Sequence, residues 1–170
     1  MPVSAANLKF YLSGGTGNTN PNASLGGARS TTVIAGTINN LFDDVTGAES
    51  TAGSVEYRCL YFRNEDSNAN GLINPIAWLV SNTPSATTAI YIGLDPAGKN
   101  GTATTIVNEL AAPAGVSFSA PSTKGTGLTL AGTPYVQNDY AAIWLKRVVD
   151  AGTSSATTDP ATLRVEGDTI

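Results

Sequence analysis

Residues 54–63 read SVEYRCLYFR, and this stretch decides the fold class. Tyr57 and Cys59 alternate with the charged Glu56 and Arg58, and the alternation passes into a continuous apolar run. A period of two residues is typical of a β-strand, whose successive side chains point to opposite faces of the sheet. We therefore expect a strand that is buried on one face along its whole length and on both faces near its end.

Eight other short runs are rich in β-branched, aromatic or other apolar residues and are bounded by Gly, Pro, Asn or Asp. They cover residues 7–12, 30–38, 76–80, 88–94, 115–119, 127–131, 140–149 and 161–166. About nine such runs without long amphipathic helices predict an all-β fold. The specific expectation is an antiparallel β-sandwich of jelly-roll or immunoglobulin-like type, with long Gly/Asn/Thr-rich loops. A single helical turn is expected at Leu41, Phe42 and Val45, which are spaced i, i+1 and i+4.

The composition restricts the classes of function. The chain has no histidine and one cysteine, which excludes His-based triads and ordinary zinc sites. Its 13 acidic and 9 basic residues form no concentrated basic patch, so no nucleic-acid partner is expected. The N-terminal residues do not resemble a secretory signal and no apolar run is long enough to span a membrane, which predicts a soluble protein made in a cytoplasm. The 170 residues are the size of one domain, 1–170.

Residues 13–29 carry few apolar side chains and many Gly, Asn, Ser and Thr. Ordering the backbone costs roughly 1 to 2 kcal/mol per residue, and these side chains offer little apolar surface to offset it. We interpret the segment as a flexible N-terminal arm or loop. If it is ordered, we expect a neighbouring subunit to hold it.

Asp66, Asn68 and Asn70, followed by Gly71, match the start of a calcium-binding loop. The twelfth position of that loop should supply a bidentate Glu, and it is Ala77 here. The three residues are therefore a weak candidate metal site, and no metal or cofactor is expected. A polar hairpin joining the strands at 54–63 and 76–80 accounts for the same residues better.

Asp43 and Asp44, with Glu49 and Glu56 nearby, are the acidic residues that could act as a glycosidase pair. Such a site requires two carboxyl groups across a sugar-binding cleft, usually with aromatic platforms, and only 7% of this chain is aromatic. Cap and turn roles are favoured, so we predict no catalytic residues.

The tryptophans, the cysteine and two basic residues are given structural roles. Trp78 and Trp144 lie in apolar runs and are expected in the core, and the same holds for Cys59 as a buried thiol. Lys146 and Arg147 lie near a sheet end, which favours an edge strand or a salt bridge to a neighbouring subunit.

Several segments together resemble small structural proteins of tailed bacteriophages. They are SGGTGNTNPNASLGGARSTT, LFDDVTGAESTAGSVEYRCLYFRN, NPIAWLV and AAIWLKRVV. The resemblance spans most of the chain and implies a virion protein of the small β-sandwich type. The same scaffold serves capsid decorations, tail-tube decorations, fibres and baseplate parts.

The resemblance implies a non-enzymatic capsid decoration or cement protein, located in the virion, that binds and stabilises the lattice of the major capsid protein. Its expected partners are the major capsid protein and further copies of itself, with a trimer as one candidate symmetry. The alternatives are a phage tail, baseplate or fibre protein and, from another class, a carbohydrate-binding or adhesin module. A histidine-free glycosidase is the least favoured.

Overall fold

The computed structural model describes residues 2–37, 39–152 and 159–169. Its strands are β1 (Leu8–Leu12), β2 (Ser54–Asn64), β3 (Ile73–Ser81), β4 (Thr88–Leu94), β5 (Leu128–Thr129), β6 (Tyr140–Val149) and β7 (Thr162–Asp168). One α-helix, α1 (Gly47–Ala52), and three single-turn 3-10 helices at Ala5–Asn7, Pro21–Ala23 and Lys124–Thr126 complete the elements of these ranges. No helix among these residues is long and apolar enough to cross a membrane.

The strands form two antiparallel sheets. A four-stranded sheet has the order β1-β2-β6-β4, and a three-stranded sheet has the order β5-β3-β7. The longest ladder joins β2 to β6, from Ser54 opposite Val149 to Arg63 opposite Tyr140. The all-β prediction is confirmed, and the stretch 54–63 lies in an interior strand of the larger sheet.

The inner face of the four-stranded sheet shares one hydrophobic core with the three-stranded sheet. Leu60, Phe62 and Ile143 on the larger sheet belong to the same buried cluster as Leu79 and Val165 on the smaller one. The alternation along β2 places Leu60 and Phe62 on this face because side chains two residues apart point the same way.

The outer face of the four-stranded sheet is also buried, under loops. Cys59, Tyr61 and Trp144 point to this side and are each 0% exposed. Loop residues such as Ile106 and Phe118 belong to the cluster that covers them. The predicted burial of both faces toward the end of β2 is thus confirmed, and largely irregular chain covers the outer face there. The face that is buried along nearly the whole strand is the one with Glu56 and Arg58, since Val55 on the outer face is 38% exposed.

Two predicted strands are wrong. Residues 30–37 run beside β1 with one isolated bridge, between Val33 and Tyr11, because Ser30 and Thr32 bind the carbonyl of Asn18 and hold this segment to a loop. Residue 38 lies outside the described residues. Residues 115–119 likewise contribute one bridge, from Ser119 to Ile92.

The expected helical turn is displaced. Leu41 and Val45 are buried in irregular chain, and α1 begins after Thr46. A capping box sets that start: Glu49 N donates to Thr46 Oγ1 at 3.2 Å, and Thr46 N donates to Glu49 Oε2 at 2.6 Å. These reciprocal bonds satisfy two backbone N–H groups at the start of the helix. The apolar residues at 41, 42 and 45 offer no such hydrogen-bond partners.

The predicted hairpin and the predicted edge strand are also wrong. The strands β2 and β3 belong to different sheets, so residues 65–72 cross from one sheet to the other. Lys146 and Arg147 lie in β6, which has β2 on one side and β4 on the other. Arg147 binds Glu56 on the neighbouring strand at 2.5 Å, so its ion pair lies within the chain.

Candidate functional site

Two loop segments, 13–30 and 95–119, form a layer over the outer face, which we call the loop layer. The hydroxyl of Tyr61 joins the two loops, since it donates to Gly27 O at 2.6 Å and accepts from Ala103 N at 2.8 Å. Desolvation of this hydroxyl raises the pKa of Tyr61 to about 12, so it stays protonated and able to donate.

A buried carboxylate anchors the same layer to the sheet. Asp95, which is 5% exposed, accepts a hydrogen bond from Trp144 Nε1 at 2.9 Å. It also accepts from the backbone of Thr104 at 3.0 Å and of Ala97 at 2.9 Å. The carboxylate of Asp95 and the three N–H groups that donate to it are satisfied together, so this acid has a structural role.

Gly26 allows the first loop to approach the sheet closely. A Cβ atom at this position would lie 1.8 Å from Thr104 O and 3.0 Å from the ring of Trp144. The backbone φ of +87° also favours glycine. The Gly-rich composition of this stretch therefore has a packing reason at this position.

Residues 13–29, expected as a flexible arm or loop, are a loop that hydrogen-bonds to itself and to its neighbours. Asn18 O accepts from Ser30 Oγ at 2.5 Å and from Thr32 Oγ1 at 2.8 Å. Ser13 Oγ accepts from Gly26 N at 3.1 Å. Polar side chains satisfy backbone groups here, which is how a segment with little apolar surface is ordered within one chain.

The loop layer carries few charges, and each has a partner in the same chain. Lys99 pairs with Asp139 at 2.8 Å, and Glu109 pairs with Arg58. Arg29 donates to Ser30 O and lies 4.8 Å from the ring centre of Tyr11. The fourth charged residue of the layer is Asp95, which accepts the hydrogen bonds from Trp144, Thr104 and Ala97. The outward surface of the layer therefore consists mainly of neutral groups.

Two large apolar side chains protrude from this layer. Val107 is 89% exposed and Leu110 is 65% exposed. They flank Glu109, whose carbonyl accepts a hydrogen bond from Tyr57 N at 2.8 Å and so fixes the loop to β2. An apolar pair on a loop that is anchored to a sheet is a candidate contact with another protein.

The acidic residues considered for glycosidase chemistry fall into two groups. Arg147 donates to the carboxylate of Asp43 at 3.3 Å, and the adjacent residue Asp44 is exposed. Glu49 and Glu56 are hydrogen-bonded to each other. Glycosidases hold their two carboxyl groups at least about 5 Å apart, so the Glu49–Glu56 pair is too close for that chemistry.

Glu49 and Glu56 shift each other's pKa in opposite directions. Burial of Glu56 and its hydrogen bond to Glu49 raise the pKa of Glu56 to about 7, against the pull of Arg147. The same hydrogen bond is the main reason why the pKa of Glu49 is lowered to about 2. Phe42 lies beside this group, with its ring 5.0 Å from the guanidinium of Arg147 and 5.5 Å from that of Arg58.

A cavity of about 580 Å³ adjoins this group between the two sheets. It is lined by apolar residues such as Leu60, Ile90 and Leu163, with Asp43 and Arg147 among its polar groups. Glu49 and Glu56 do not line it. The carboxyl pair is therefore separated from the space that a substrate would occupy.

The weak metal candidate forms a series of turns. Asn68 N donates to Asp66 Oδ1 at 2.9 Å, and Asn70 N donates to Asn68 Oδ1 at 3.0 Å. Asp66 Oδ2 accepts from Ser4 N and from Asn7 Nδ2, each at 2.9 Å, and these bonds lower the pKa of Asp66. Asp66 thereby ties the N-terminal residues to the crossing between the sheets. Among the described residues, no group of three His, Cys, Asp or Glu could hold a metal ion.

The predicted burial of both tryptophans is confirmed, since Trp78 is 7% exposed and Trp144 is 0% exposed. Cys59 is confirmed as a buried thiol, and burial raises its pKa. Neither indole lies on an open face where a sugar ring could stack. Three groups with buried charges were missed: the Arg58–Glu109 pair, the Glu56–Arg147 pair and Asp95. The charges at alternate positions of an otherwise apolar strand were the available signal for Glu56 and Arg58.

Comparison of the chain with protein-family models, curated proteins and solved structures finds no match.

Proposed function

We propose that this chain is a non-enzymatic structural component of a bacteriophage virion. Specifically, it is a capsid decoration protein that binds the lattice of the major capsid protein and stabilises it. The proposed architecture is an antiparallel β-sandwich, supported by the core that the two sheets share. The mechanism is mechanical: each copy adds interface area between neighbouring capsid subunits.

The observation that carries this proposal is the neutral outer surface of the loop layer. Lys99 and Glu109 have ion-pair partners within the chain, and Arg29 and Asp95 are held by hydrogen bonds within it. Val107 and Leu110 are exposed. A surface with few charges, each bound within its own chain, loses little solvation energy when it is covered by another protein. Such a surface suits a large, static contact with another protein, because it has too little charge to attract a small charged ligand.

The polar groups of the molecule support a structural role as well. Glu56 is buried, neither it nor Glu49 lines the cavity, and Asp66 and Asp95 accept hydrogen bonds from other segments of the chain. Each of these acids holds parts of the chain together. A catalytic acid would instead face a space that admits substrate.

The location is tested by immunogold microscopy on particles of the phage that encodes the chain, with a serum raised against the purified protein. Label distributed over the heads is the expected result. Label confined to the tail would transfer the protein to the tail or baseplate alternative. Particles without label, from a lysate in which the soluble protein is detected, would overturn a virion role.

The docking surface is tested with Val107→Asp/Leu110→Asp. We expect this variant to rebind stripped particles at least about tenfold more weakly, because a charge would be buried in an apolar contact. Val136→Asp, at a loop residue that is 37% exposed, is the matched control and should rebind normally. Equal binding of both variants, with unchanged melting temperatures, would contradict the assignment of this surface.

A further inference from the structure

The chain covers the β4 edge of its four-stranded sheet. Beside Ile90, the side chain of Asn82 acts as a substitute for a neighbouring strand: Ile90 N donates to Asn82 Oδ1 at 2.8 Å, and Asn82 Nδ2 donates to Ile90 O at 2.9 Å. Two residues further on, Ile92 and Ser119 exchange hydrogen bonds of 2.8 and 2.9 Å. No second protein can add a strand here without displacing these groups.

The opposite edge, along β1, is covered in a similar way. Leu12 N donates to Thr32 O at 3.0 Å, and Ser30 N donates to Leu12 O at 2.8 Å. Ile34 N donates to Phe10 O, also at 2.8 Å. The segment that the sequence predicts as a strand thus occupies this edge as irregular chain.

The edge of the three-stranded sheet at β7 differs from both. On one side β7 pairs with β3, from Ile73 opposite Asp168 to Ser81 opposite Thr162. Within residues 2–37, 39–152 and 159–169, no segment hydrogen-bonds to its other side. A groove of about 350 Å³ runs beside it, lined by residues that include Leu8 and Val165. This strand of seven residues offers unpaired backbone groups of the kind to which another strand can add.

We propose that β7 pairs antiparallel with β7 of a second copy, about a twofold axis at Val165, to join the two three-stranded sheets into one. The inference rests on the proposed function in one respect, self-association, and does not depend on capsid binding. A twofold axis perpendicular to the sheet keeps the faces of both copies in register, because residues directly opposite share a face.

Charge complementarity selects this register. Arg164 and Glu166 are both exposed and lie on the same face of β7. Their contacts within the chain are loose: Arg164 lies 5.9 Å from the ring centre of Trp78, and Glu166 lies 3.9 Å from Lys124 Nζ. Exposed contacts of this kind contribute little and can be exchanged for a cross-strand pair. With Val165 opposite itself, Arg164 of each copy lies opposite Glu166 of the second copy, which gives two opposite-charge cross-strand pairs. Thr162 then lies opposite Asp168 of the second copy, which adds no like-charge contact.

The neighbouring registers are disfavoured. A shift by two residues in one direction places Arg164 opposite Arg164 and adds no opposite-charge pair. A shift in the other direction places Glu166 opposite Glu166 at its centre, although it also brings Arg164 opposite Asp168. Like charges directly opposite are destabilising. A shift by one residue would bring the apolar face of one copy to the polar face of the other. Of these registers, the one centred on Val165 is the one that brings opposite charges together without a like-charge contact.

The basic test measures the mass of the full chain in solution by sedimentation equilibrium, from about 1 μM to about 1 mM, the range of weak specific association. We expect a reversible shift from the 17.3 kDa of one chain toward twice that value. The shift should weaken at high salt because the two charge pairs are exposed. A chain that stays monomeric throughout would overturn the proposal, as would a limiting mass of three chains.

Charge exchange tests the register. Arg164→Glu and Glu166→Arg each place like charges opposite one another, so each variant alone should dimerise at least about tenfold more weakly than the natural chain. An equimolar mixture of the two variants should regain dimers, since a strand with two acidic side chains at these positions then faces a strand with two basic ones. The double variant R164E/E166R should also dimerise. Failure of both rescues would overturn the register.

Lys9→Glu is the matched control, because it makes the same charge change on β1, whose edge is covered. It should leave dimerisation unchanged, and an equal loss there would assign the effect to net charge and overturn the proposal. Melting temperatures show whether each variant is folded, and the mixing experiment remains informative if one is modestly destabilised. Particle binding is scored separately, so monomers that still bind particles would overturn this inference and leave the proposed function standing.

Discussion

The two faces of the four-stranded sheet are buried by different means. The inner face packs on a second sheet, with aliphatic and aromatic side chains such as Phe62 and Ile143 in a shared core. The outer face packs under irregular loops, yet Trp144 and Cys59 are as fully buried there. The difference lies in the backbone of the cover. A sheet satisfies its own amides, whereas loops need dedicated partners, which Asp95 and Tyr61 provide.

The largest expected effect tests whether the loop cover packs as tightly as the sheet. Trp144→Ala on the outer face and Phe62→Ala on the inner face should each lower the free energy of unfolding by about 3 to 5 kcal/mol, because both leave a cavity. Urea denaturation of the two variants measures this. A loss below about 1 kcal/mol for Trp144→Ala alone would mean that the loops collapse into the space and that the two faces are not equivalent.

The next effect concerns how closely the loop approaches the sheet. Gly26→Ala should destabilise the protein by about 2 kcal/mol or more, because the added methyl group would meet Thr104 O. Gly15→Ala is the matched control: its φ is also positive, +97°, and nothing lies within 4 Å of the added carbon. The difference between the two melting curves isolates the packing contribution from the backbone strain. Equal losses would show that the loop has room to move away from Trp144.

The smallest effect concerns the polar end of the inner face. The folded protein raises the pKa of Glu56 from 4.5 to about 7, so it binds a proton there that the unfolded chain releases. Stability from this group is complete below about pH 4.5 and is lost as the pH rises to about 7, by about 1 to 3 kcal/mol in total.

Glu56→Gln should flatten the pH dependence of stability in that window, since glutamine stays neutral. The acid limb should remain, because the lowered pKa of Glu49 makes stability fall as the pH drops from 4.5 toward 2. Thermal melts of both proteins at several pH values measure the two slopes. If the stability of Glu56→Gln still falls by the full amount between pH 4.5 and 7, the raised pKa of Glu56 would be contradicted.

The strands that could be predicted are those whose apolar pattern agrees with the burial of their side chains in the folded protein. Residues 88–94 and 140–149 are strands with the predicted bounds, since their apolar side chains pack on a sheet neighbour or a loop at nearly every position. Residues 30–37 and 115–119 have similar compositions but serve as cover. Whether a β-branched run becomes a strand or a cover depends on which groups lie beside it, and that is settled only when the chain is folded.

The acidic residues teach a similar lesson. The turn at Asp66 could be predicted, because Asn68 N, two residues away, donates to its carboxylate. The bonds from Ser4 and Asn7 to the same carboxylate could not, because those residues are distant in sequence. Glu56 is bound by Arg147, 91 residues away, and Arg147 in turn lies against Phe42. The alternation along β2 marks Glu56 as unusual, but the chain order does not identify these partners. Asp95 was missed for the same reason, because its partner Trp144 lies 49 residues away.

The side chain of Asn82 has a consequence for how many neighbours a copy can have. By filling the place of a strand at Ile90, it makes one end of the larger sheet unavailable for growth, as Thr32 and its neighbours do at the other end. In the smaller sheet, β5 is two residues long and offers little to join. Among the residues that the structure describes, a copy thus offers one long open edge for strand addition. The proposed pairing at β7 would use that edge and end in a closed pair, so a fibre would not propagate by this route.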